Sequence, residues 1–254
     1  MLTVALSCLT EVLYQDALRD AKLVSLIVRA GYVRSLIESL NQDDDTSMVD
    51  LVTKLMISLR PLYVFQTKIA FFMRISMSQI GLEALCHNKL LQNMHSWRFW
   101  AEIPDQLFVT GRPATDTEDL QNNLGLRYLT ALEICFKLCL AMSATPRGAQ
   151  QDIRQEVSMF VRVHGALITQ LLRLKPSPQS TAARVVKLAA KLVAHCYGPE
   201  LDANFDSPQS SAKTGDRVID QLKIEARKLI RTDDSIAENM GKSPMNSSFF
   251  KRIL

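Results

Sequence analysis

The fold class of this chain is decided by the stretch Gln66-Thr67-Lys68-Ile69-Ala70-Phe71-Phe72-Met73-Arg74-Ile75-Ser76-Met77-Ser78-Gln79-Ile80-Gly81-Leu82-Glu83-Ala84-Leu85. Its apolar residues recur at helical spacing and predict one buried helix face, formed by Ile69, Phe72, Met73, Met77 and Ile80. The polar side of the same helix is expected to carry Lys68, Arg74, Ser78 and Gln79. We expect Gly81 to end the helix and a second short helix to follow at once. Two helices joined by a glycine turn are the unit of a helical stack.

The same helical period predicts further helices over most of the chain. They cover residues 2–18, 22–29, 32–40, 47–61, 127–144, 151–174, 178–198 and 216–231. Gly31 separates the second and third helices, and residues 41–46 are expected to form an exposed acidic loop. Ser47 and Ser177 are the expected N-caps of the helices that follow them, and Gly198 is the expected end of the seventh. Because no N-cap precedes the first helix, we expect a fragment or short form of a longer array.

The helix at 127–144 is apolar on nearly all sides. Only Thr130, Glu133 and Lys137 leave a narrow polar strip along it, with Glu133 and Lys137 four residues apart. A helix of this kind is buried between neighbours. The sequence therefore predicts an interior helix with at least two layers of helices around it.

A long irregular stretch at 95–116 is unusually rich in large apolar residues, namely Trp97, Phe99, Trp100, Ile103, Leu107 and Phe108. A connection of this composition is expected to fold down onto the helices that it crosses. The alternative is an aromatic ligand pocket or a peptide anchor, since tryptophan is enriched at binding hot spots.

No catalytic or metal-binding pattern is complete in the sequence. It holds no phosphate-binding glycine loop, no Gly-x-Ser-x-Gly and no His-Glu-x-x-His. His87 and His95 lie near Cys86, but no carboxylate pattern completes a metal site there. Cys135 and Cys139 share an apolar helix face, and His164 is expected to be a hydrogen-bonded core histidine. We therefore expect no enzyme activity, no cofactor and no metal, and buried free thiols rather than disulfides.

Charge is distributed unevenly along the chain, although the net charge of +4 is mild. Residues 147–191 carry eight Lys and Arg against Asp152 and Glu156, whereas residues 1–60 are net acidic. A solvated helical face is the simplest interpretation, and a surface for an acidic or phosphorylated partner is the alternative. RNA binding is not expected, because no exposed aromatic residues alternate with the basic ones. The apolar N-terminus is too short to span a bilayer, so no transmembrane segment is expected.

Three blocks of sequence carry a family resemblance. The first is Gln66-Thr67-Lys68 leading into Ala70-Phe71-Phe72-Met73-Arg74, followed by the Gln79 to Leu85 segment and the Leu90-Leu91 pair. It resembles the C-terminal part of the very large scaffold nucleoporins of the nuclear-pore inner ring. The run from Leu124 to Cys135 and the two long helices ending at Cys196-Tyr197-Gly198 are similar to later blocks of those proteins. The resemblance covers roughly residues 59–198.

This resemblance implies an all-α fold, an irregular α-helical solenoid of stacked antiparallel helices. It implies a structural constituent of the nuclear pore complex, in the nucleus and nuclear envelope, that binds other nucleoporins and so supports transport. The alternative is a HEAT- or armadillo-like adaptor, or a transport-receptor fragment, that binds peptide segments. No period of about 34 or of 40 to 47 residues recurs cleanly, which does not favour these short-repeat families.

The predicted organisation has four parts. Residues 1–198 form the solenoid segment, 199–215 a linker, 216–231 a terminal amphipathic helix and 232–254 a mobile tail. The resemblance implies that a helix of a linker nucleoporin binds near the C-terminal end, because such segments hold these scaffolds in the ring. On the terminal helix the expected contact residues are Val218, Leu222, Ala226 and Leu229. The alternative is that these side chains, with Ile230, dock back onto the preceding helices.

Overall fold

The chain is all-α in the part that the computed structural model describes, which is residues 2–17, 22–104, 107, 120–144, 150–202 and 214–232. Those residues form twelve α-helices and no strand. The helices are α1 (Leu2–Ala17), α2 (Lys22–Arg29), α3 (Tyr32–Asp43), α4 (Val49–Thr53), α5 (Arg60–Ile75), α6 (Gln79–His87), α7 (Leu90–His95), α8 (Leu124–Ser143), α9 (Gln150–Val163), α10 (Gly165–Leu172), α11 (Thr181–Asp202) and α12 (Thr214–Thr232). A π-helical turn, Asp44–Met48, joins α3 to α4, and a 3₁₀ turn, Arg98–Trp100, follows α7. The predicted all-α solenoid is confirmed. No helix in the described ranges is both long and apolar enough to cross a membrane.

Helix α8 is the interior helix that the sequence predicts. It packs against α4, α5, α9 and α11, and Leu132 and Leu138 are completely buried. The Asn123 side chain caps it by accepting a hydrogen bond from the Leu126 amide at 2.8 Å. The polar strip of α8 forms ion pairs: Glu133 pairs with Lys137 at 3.0 Å and with Arg184 of α11.

The N-terminal helices form a layer in which α1 packs on α5 and α2, and α2 packs on α3 and α6. The Asp16 carboxylate accepts hydrogen bonds from the amides of Leu23 and Val24 at 2.9 and 3.1 Å, at the start of α2. Gly31 has φ +78°, the left-handed conformation in which a helix commonly ends. The broken helical pair predicted around Gly31 is therefore confirmed.

Residues 41–46 are not the expected exposed acidic loop. Helix α3 continues to Asp43 and runs through the π-helical turn into α4. Lys68 of α5 helps to hold the end of α3 in place. It is only 2% exposed and donates hydrogen bonds to Ser39 Oγ at 2.6 Å and to the Asp43 carboxylate. The prediction that placed Lys68 on a polar surface is wrong, because its ammonium finds a carboxylate on the neighbouring helix.

The helix predicted from the Ser47 cap to Pro61 is also wrong. Helix α4 ends at Thr53 without a side-chain cap at its start, and α5 begins at Arg60 with Pro61 in its first turn. Proline is favoured there because its missing N–H is not needed by the helix.

Gly81 does not end a helix. Helix α5 already ends at Ile75, and the Ser78 hydroxyl caps α6 by accepting from the Gly81 amide at 3.1 Å. A Cβ atom on Gly81 would lie 2.1 Å from the Ile75 carbonyl oxygen. Gly81 therefore permits the start of α6 to approach the end of α5. The adjacent Ile80 is 44% exposed, so it is not part of the predicted buried face.

Arg127, near the start of α8, is completely buried. Its guanidinium donates to the Leu51 and Lys54 carbonyls at 3.0 Å, to the Leu120 carbonyl at 3.0 Å and to the Gln121 carbonyl. Leu51 and Lys54 lie at the C-terminal end of α4, where helix carbonyls lack intrahelical partners and the helix dipole favours a cation. One side chain thus joins α4, the segment before α8 and α8 itself.

The helix predicted at 151–174 is two helices, α9 and α10, separated at His164. Thr169 of α10 is only 7% exposed, and its hydroxyl is satisfied by donating to the Gly165 carbonyl at 2.7 Å. Helix α11 is capped by Ser180 rather than by Ser177: the Ser180 hydroxyl accepts from the Ala183 amide at 3.2 Å. The helix also continues past Gly198 to Asp202. The last helix, α12, begins at Thr214, inside the predicted linker, and includes Thr232, the first residue of the predicted tail. Residues 203–213 and 233–254 lie outside the described residues.

Candidate partner-binding face

Helix α12 is the terminal helix of the described stack and packs against α10 and α11. Leu222 is 1% exposed and Ala226 is completely buried, so both face these neighbours. Leu229 is half-buried, and Val218 is 38% exposed. Of the four predicted contact residues, two therefore hold α12 on the stack, as the alternative of docking back proposes, and two lie at its edges.

Gly165, the first residue of α10, sets how closely α12 approaches. A Cβ atom at Gly165 would lie 3.0 Å from Val218 Cγ1 and 3.8 Å from Leu222 Cδ1. Contacts as short as 3.0 Å are tighter than almost all real Cβ contacts, so glycine suits this close approach.

Glu225 is the polar anchor of α12. Its carboxylate lies 3.5 Å from Arg173 Nε, just after α10, and 3.3 Å from Lys228 Nζ, and it accepts from Gln221 Nε2 at 2.9 Å. Burial alone would raise the pKa of Glu225, but the Lys228 hydrogen bond and charge, with Gln221 and Arg173, lower it. A cation–π contact places Lys223 Nζ 5.1 Å from the Tyr197 ring on α11. These contacts orient α12 and leave its opposite side to solvent, where Ile224 is 43% exposed.

The aromatic segment after α7 is part of the core. Trp97, Phe99 and Trp100 are each at most 5% exposed. The Trp97 indole N–H donates to Asn41 Oδ1 at 2.9 Å, and that of Trp100 donates to the Met94 carbonyl at 2.7 Å. The N–H groups of both indoles are thus hydrogen-bonded within the protein, which supports a packed connection rather than a ligand pocket. The predicted Phe108 lies outside the described residues.

Helix α9 closes this aromatic cluster through Phe160. The Phe160 ring centroid lies 5.3 Å from that of Trp100 and 4.8 Å from that of His164. His164 Nε2 is buried without a hydrogen-bond partner in the described part of the chain, so the prediction of a hydrogen-bonded core histidine is wrong for that atom. Burial, with a smaller effect of the nearby His95, lowers the pKa of His164 to about 4. The imidazole is therefore neutral at pH 7 and packs as an aromatic ring.

The model of the nuclear pore complex scaffold family, nucleoporins 186/192/205, matches residues 2–196 of the chain. The chain belongs to this scaffold nucleoporin family. Members of this family are structural components of the nuclear pore complex in the nuclear envelope. The match ends inside α11, so α12 and its candidate face lie beyond it.

An individual relative agrees with the family match. Nuclear pore complex protein Nup205 of Drosophila melanogaster is 25% identical over 224 residues, which are 87% of this chain and 10% of the relative. The chain thus spans a tenth of the length of the scaffold nucleoporin that it matches.

The cysteines and histidines of this nucleoporin form no group of three or more potential metal ligands among the described residues. Cys135 and Cys139 are buried in α8, and burial raises the pKa of the Cys139 thiol. Burial, with a smaller contribution from the negative charge of Glu156, raises the pKa of the Cys86 thiol to about 11. These thiols are accordingly poor nucleophiles.

Sequence reasoning also missed two exposed apolar residues of α9. Met159 and Val163 on α9 are 51% and 50% exposed. The available signal was their spacing, since residues four apart lie on the same side of one helix.

Proposed function

We propose that this scaffold nucleoporin acts structurally, without catalysis, in the inner ring of the nuclear pore, where it binds other nucleoporins. A helical segment of a linker nucleoporin packs along α12, at the C-terminal end of the described stack. The proposal rests on family membership and on one structural observation: among the described residues α12 packs against α10 and α11, and Ile224 on its other side is 43% exposed.

The four predicted residues divide into two roles in this proposal. Leu222 and Ala226 position α12 by packing inward, whereas Val218 and Leu229 contact the partner at the edges of the helix. A terminal helix of a solenoid needs a capping element or a partner on its open side, because no further repeat covers it.

The test is capture of a purified linker nucleoporin of the inner ring by the immobilised chain. Val218→Asp is expected to reduce capture at least tenfold and to lower the thermal midpoint only slightly, because 38% of Val218 is already exposed although the rest packs on Gly165. The matched control is Val12→Asp on α1, where Val12 is 54% exposed and far along the chain from α12. Undiminished capture by Val218→Asp, or equal losses from both variants, would contradict the proposal.

A further inference from the structure

The connection between α10 and α11 exposes a serine between two prolines, Pro176 and Pro178. The Ser177 carbonyl accepts from the Ser180 amide at 3.0 Å and from the Ser180 hydroxyl at 2.7 Å. The Ser177 hydroxyl itself forms no hydrogen bond with the described part of the chain. A residue that precedes proline is biased toward an extended backbone, and Ser177 precedes Pro178. Its hydroxyl is therefore presented to solvent on an irregular, extended segment.

Ser177 differs from the other hydroxyl residues of the chain in its setting. Four Ser or Thr residues directly precede a proline, namely Thr145, Ser177, Ser207 and Ser243. Of these four, Ser177 is the one that lies within the described residues. The other hydroxyls of this connection are engaged, because Ser180 caps α11 and Thr181 accepts from Arg184, and both are buried. Within the described connection, the Ser177 hydroxyl is thus the one that is free to react.

Positive charge surrounds this hydroxyl. The segment from Arg173 to Arg184 holds three cations and no Asp or Glu. Arg184 of α11 donates from Nη2 to Thr181 Oγ1 at 2.9 Å, and its Nη1 lies 3.5 Å from the Gln179 carbonyl oxygen. The guanidinium therefore lies beside the turn that follows Ser177. Helix α11 begins at the same place, and its N-terminus adds partial positive charge.

Arg184 can turn toward a new anion without leaving a carboxylate unpaired. Its Nε lies 3.2 Å from a carboxylate oxygen of Glu133 on α8, and the Arg184 side chain is 51% exposed. An ion pair exposed to this degree contributes little to stability. Glu133 also pairs with Lys137 at 3.0 Å, so its carboxylate keeps a cationic partner when Arg184 leaves.

We infer that Ser177 is a phosphorylation site for a proline-directed Ser/Thr kinase, and that Arg184 binds the phosphate formed. The Ser177 oxygen attacks the γ-phosphorus of ATP, the bond to the β–γ bridging oxygen breaks, and ADP and the hydroxyl proton leave. The product carries a charge of about −1.5 to −2 at pH 7 beside a guanidinium and a helix N-terminus, which both stabilise phosphate. Arg184 exchanges Glu133 for the phosphate, so the modification removes a contact between α8 and α11. Phosphorylation of Ser177 is independent of the proposed function, since no partner nucleoporin takes part in it.

The site is tested on the full chain carrying T145A, S207A and S243A, which leaves Ser177 as its one Ser/Thr-Pro acceptor. The chain is incubated with Mg-ATP and recombinant mitogen-activated and cyclin-dependent kinases in turn, and mass spectrometry counts and locates the phosphates. One phosphate per chain, on Ser177, is expected with at least one of the kinases. Ser177→Ala is expected to abolish it, and Pro178→Ala to slow it at least about tenfold, because the kinase selects its acceptor by the following proline.

Circular dichroism melts check that both variants are folded. Absence of phosphate on Ser177 with both kinases, or equally fast phosphorylation of the P178A variant, would overturn the site.

Phosphorus NMR titration of the modified chain tests the role of Arg184. The second pKa of a phosphoserine is about 6, and a nearby guanidinium lowers it because it stabilises the dianion. We expect this pKa to lie at least about half a unit below that of the phosphorylated peptide 172–181, and Arg184→Met to return it toward the peptide value. The matched control is Arg29→Met, at an exposed arginine of α2, which is expected to leave the pKa unchanged. Equal pKa values in chain and peptide, or equal responses to the two substitutions, would overturn binding of the phosphate by Arg184.

Discussion

Helices α8 and α12 are nearly equal in length, with 20 and 19 residues, yet they occupy opposite positions in the stack. Helix α8 has neighbours on several sides and even buries an arginine and a tyrosine, Arg127 and Tyr128. Helix α12 buries Leu222 and Ala226 and shows Ile224 to solvent. The width of the apolar stripe therefore indicates on how many sides a helix is covered by its neighbours.

The largest effect is expected from Leu132→Asp in α8. Leu132 is completely buried, so the carboxylate would have no solvent and no partner, at a cost of about 3–5 kcal/mol. The free energy of unfolding from urea denaturation measures it. The control, Ile224→Asp on the exposed side of α12, is expected to change stability by less than about 0.5 kcal/mol. Similar losses in both variants would remove the contrast between the two helices.

Arg127→Met is expected to cost somewhat less, about 3 kcal/mol. It leaves the carbonyls of Leu51, Lys54, Leu120 and Gln121 without the guanidinium that donates to them. Arg127→Lys is expected to recover only part of the loss, because an ammonium cannot reach carbonyls in several directions as the planar guanidinium does. Full recovery with lysine, seen in the same urea titration, would show that charge alone matters.

Leu222→Ala is expected to cost about 2–3 kcal/mol and to act mainly on α12. Truncation leaves a cavity between α12 and its neighbours α10 and α11, which α12 can partly close by moving. Amide exchange is expected to accelerate in α12 and to stay slow in α8. Uniform acceleration over both helices would indicate one cooperative unit instead of a graded stack.

The smallest effect concerns pH and His164. Its folded pKa of about 4 lies below the usual 6.5, so the unfolded chain binds more protons, and stability is lost as pH falls from about 6.5 to about 4. Glu156 acts in the opposite direction, because burial raises its pKa. His164→Phe is expected to flatten the loss of stability between pH 6.5 and 5, measured by urea titration at each pH. His87→Phe, at an exposed position, is the control, and an equal flattening there would reject the assignment.

The helices, the interior position of α8 and the turn at Gly31 follow from the sequence because each depends on residues close together in the chain. The buried cations do not. Lys68 is stabilised by Ser39 and Asp43, and Arg127 by carbonyls more than seventy residues earlier, at Leu51 and Lys54. Nothing in the local pattern distinguishes such residues from solvated ones.

The predicted start of a helix is wrong where two residues could each act as the N-cap. Ser177 and Ser180 both fit an N-cap, and the structure selects Ser180 because its hydroxyl reaches the Ala183 amide. At the candidate site, the period correctly identified the apolar side of α12. The period alone could not predict which of these residues are buried by neighbouring helices. Leu222, for example, packs near Gly165, which belongs to another helix.

The most direct test of the account is amide hydrogen exchange of the chain alone and with the linker nucleoporin segment bound. In the free chain, α8 is expected to exchange only through global unfolding, and α12 is expected to exchange faster through local opening. Binding is expected to slow exchange in α12 and to leave α8 unchanged. Protection that appears at α1 instead, or a free α12 as slow as α8, would contradict a rigid scaffold whose terminal helix carries the partner.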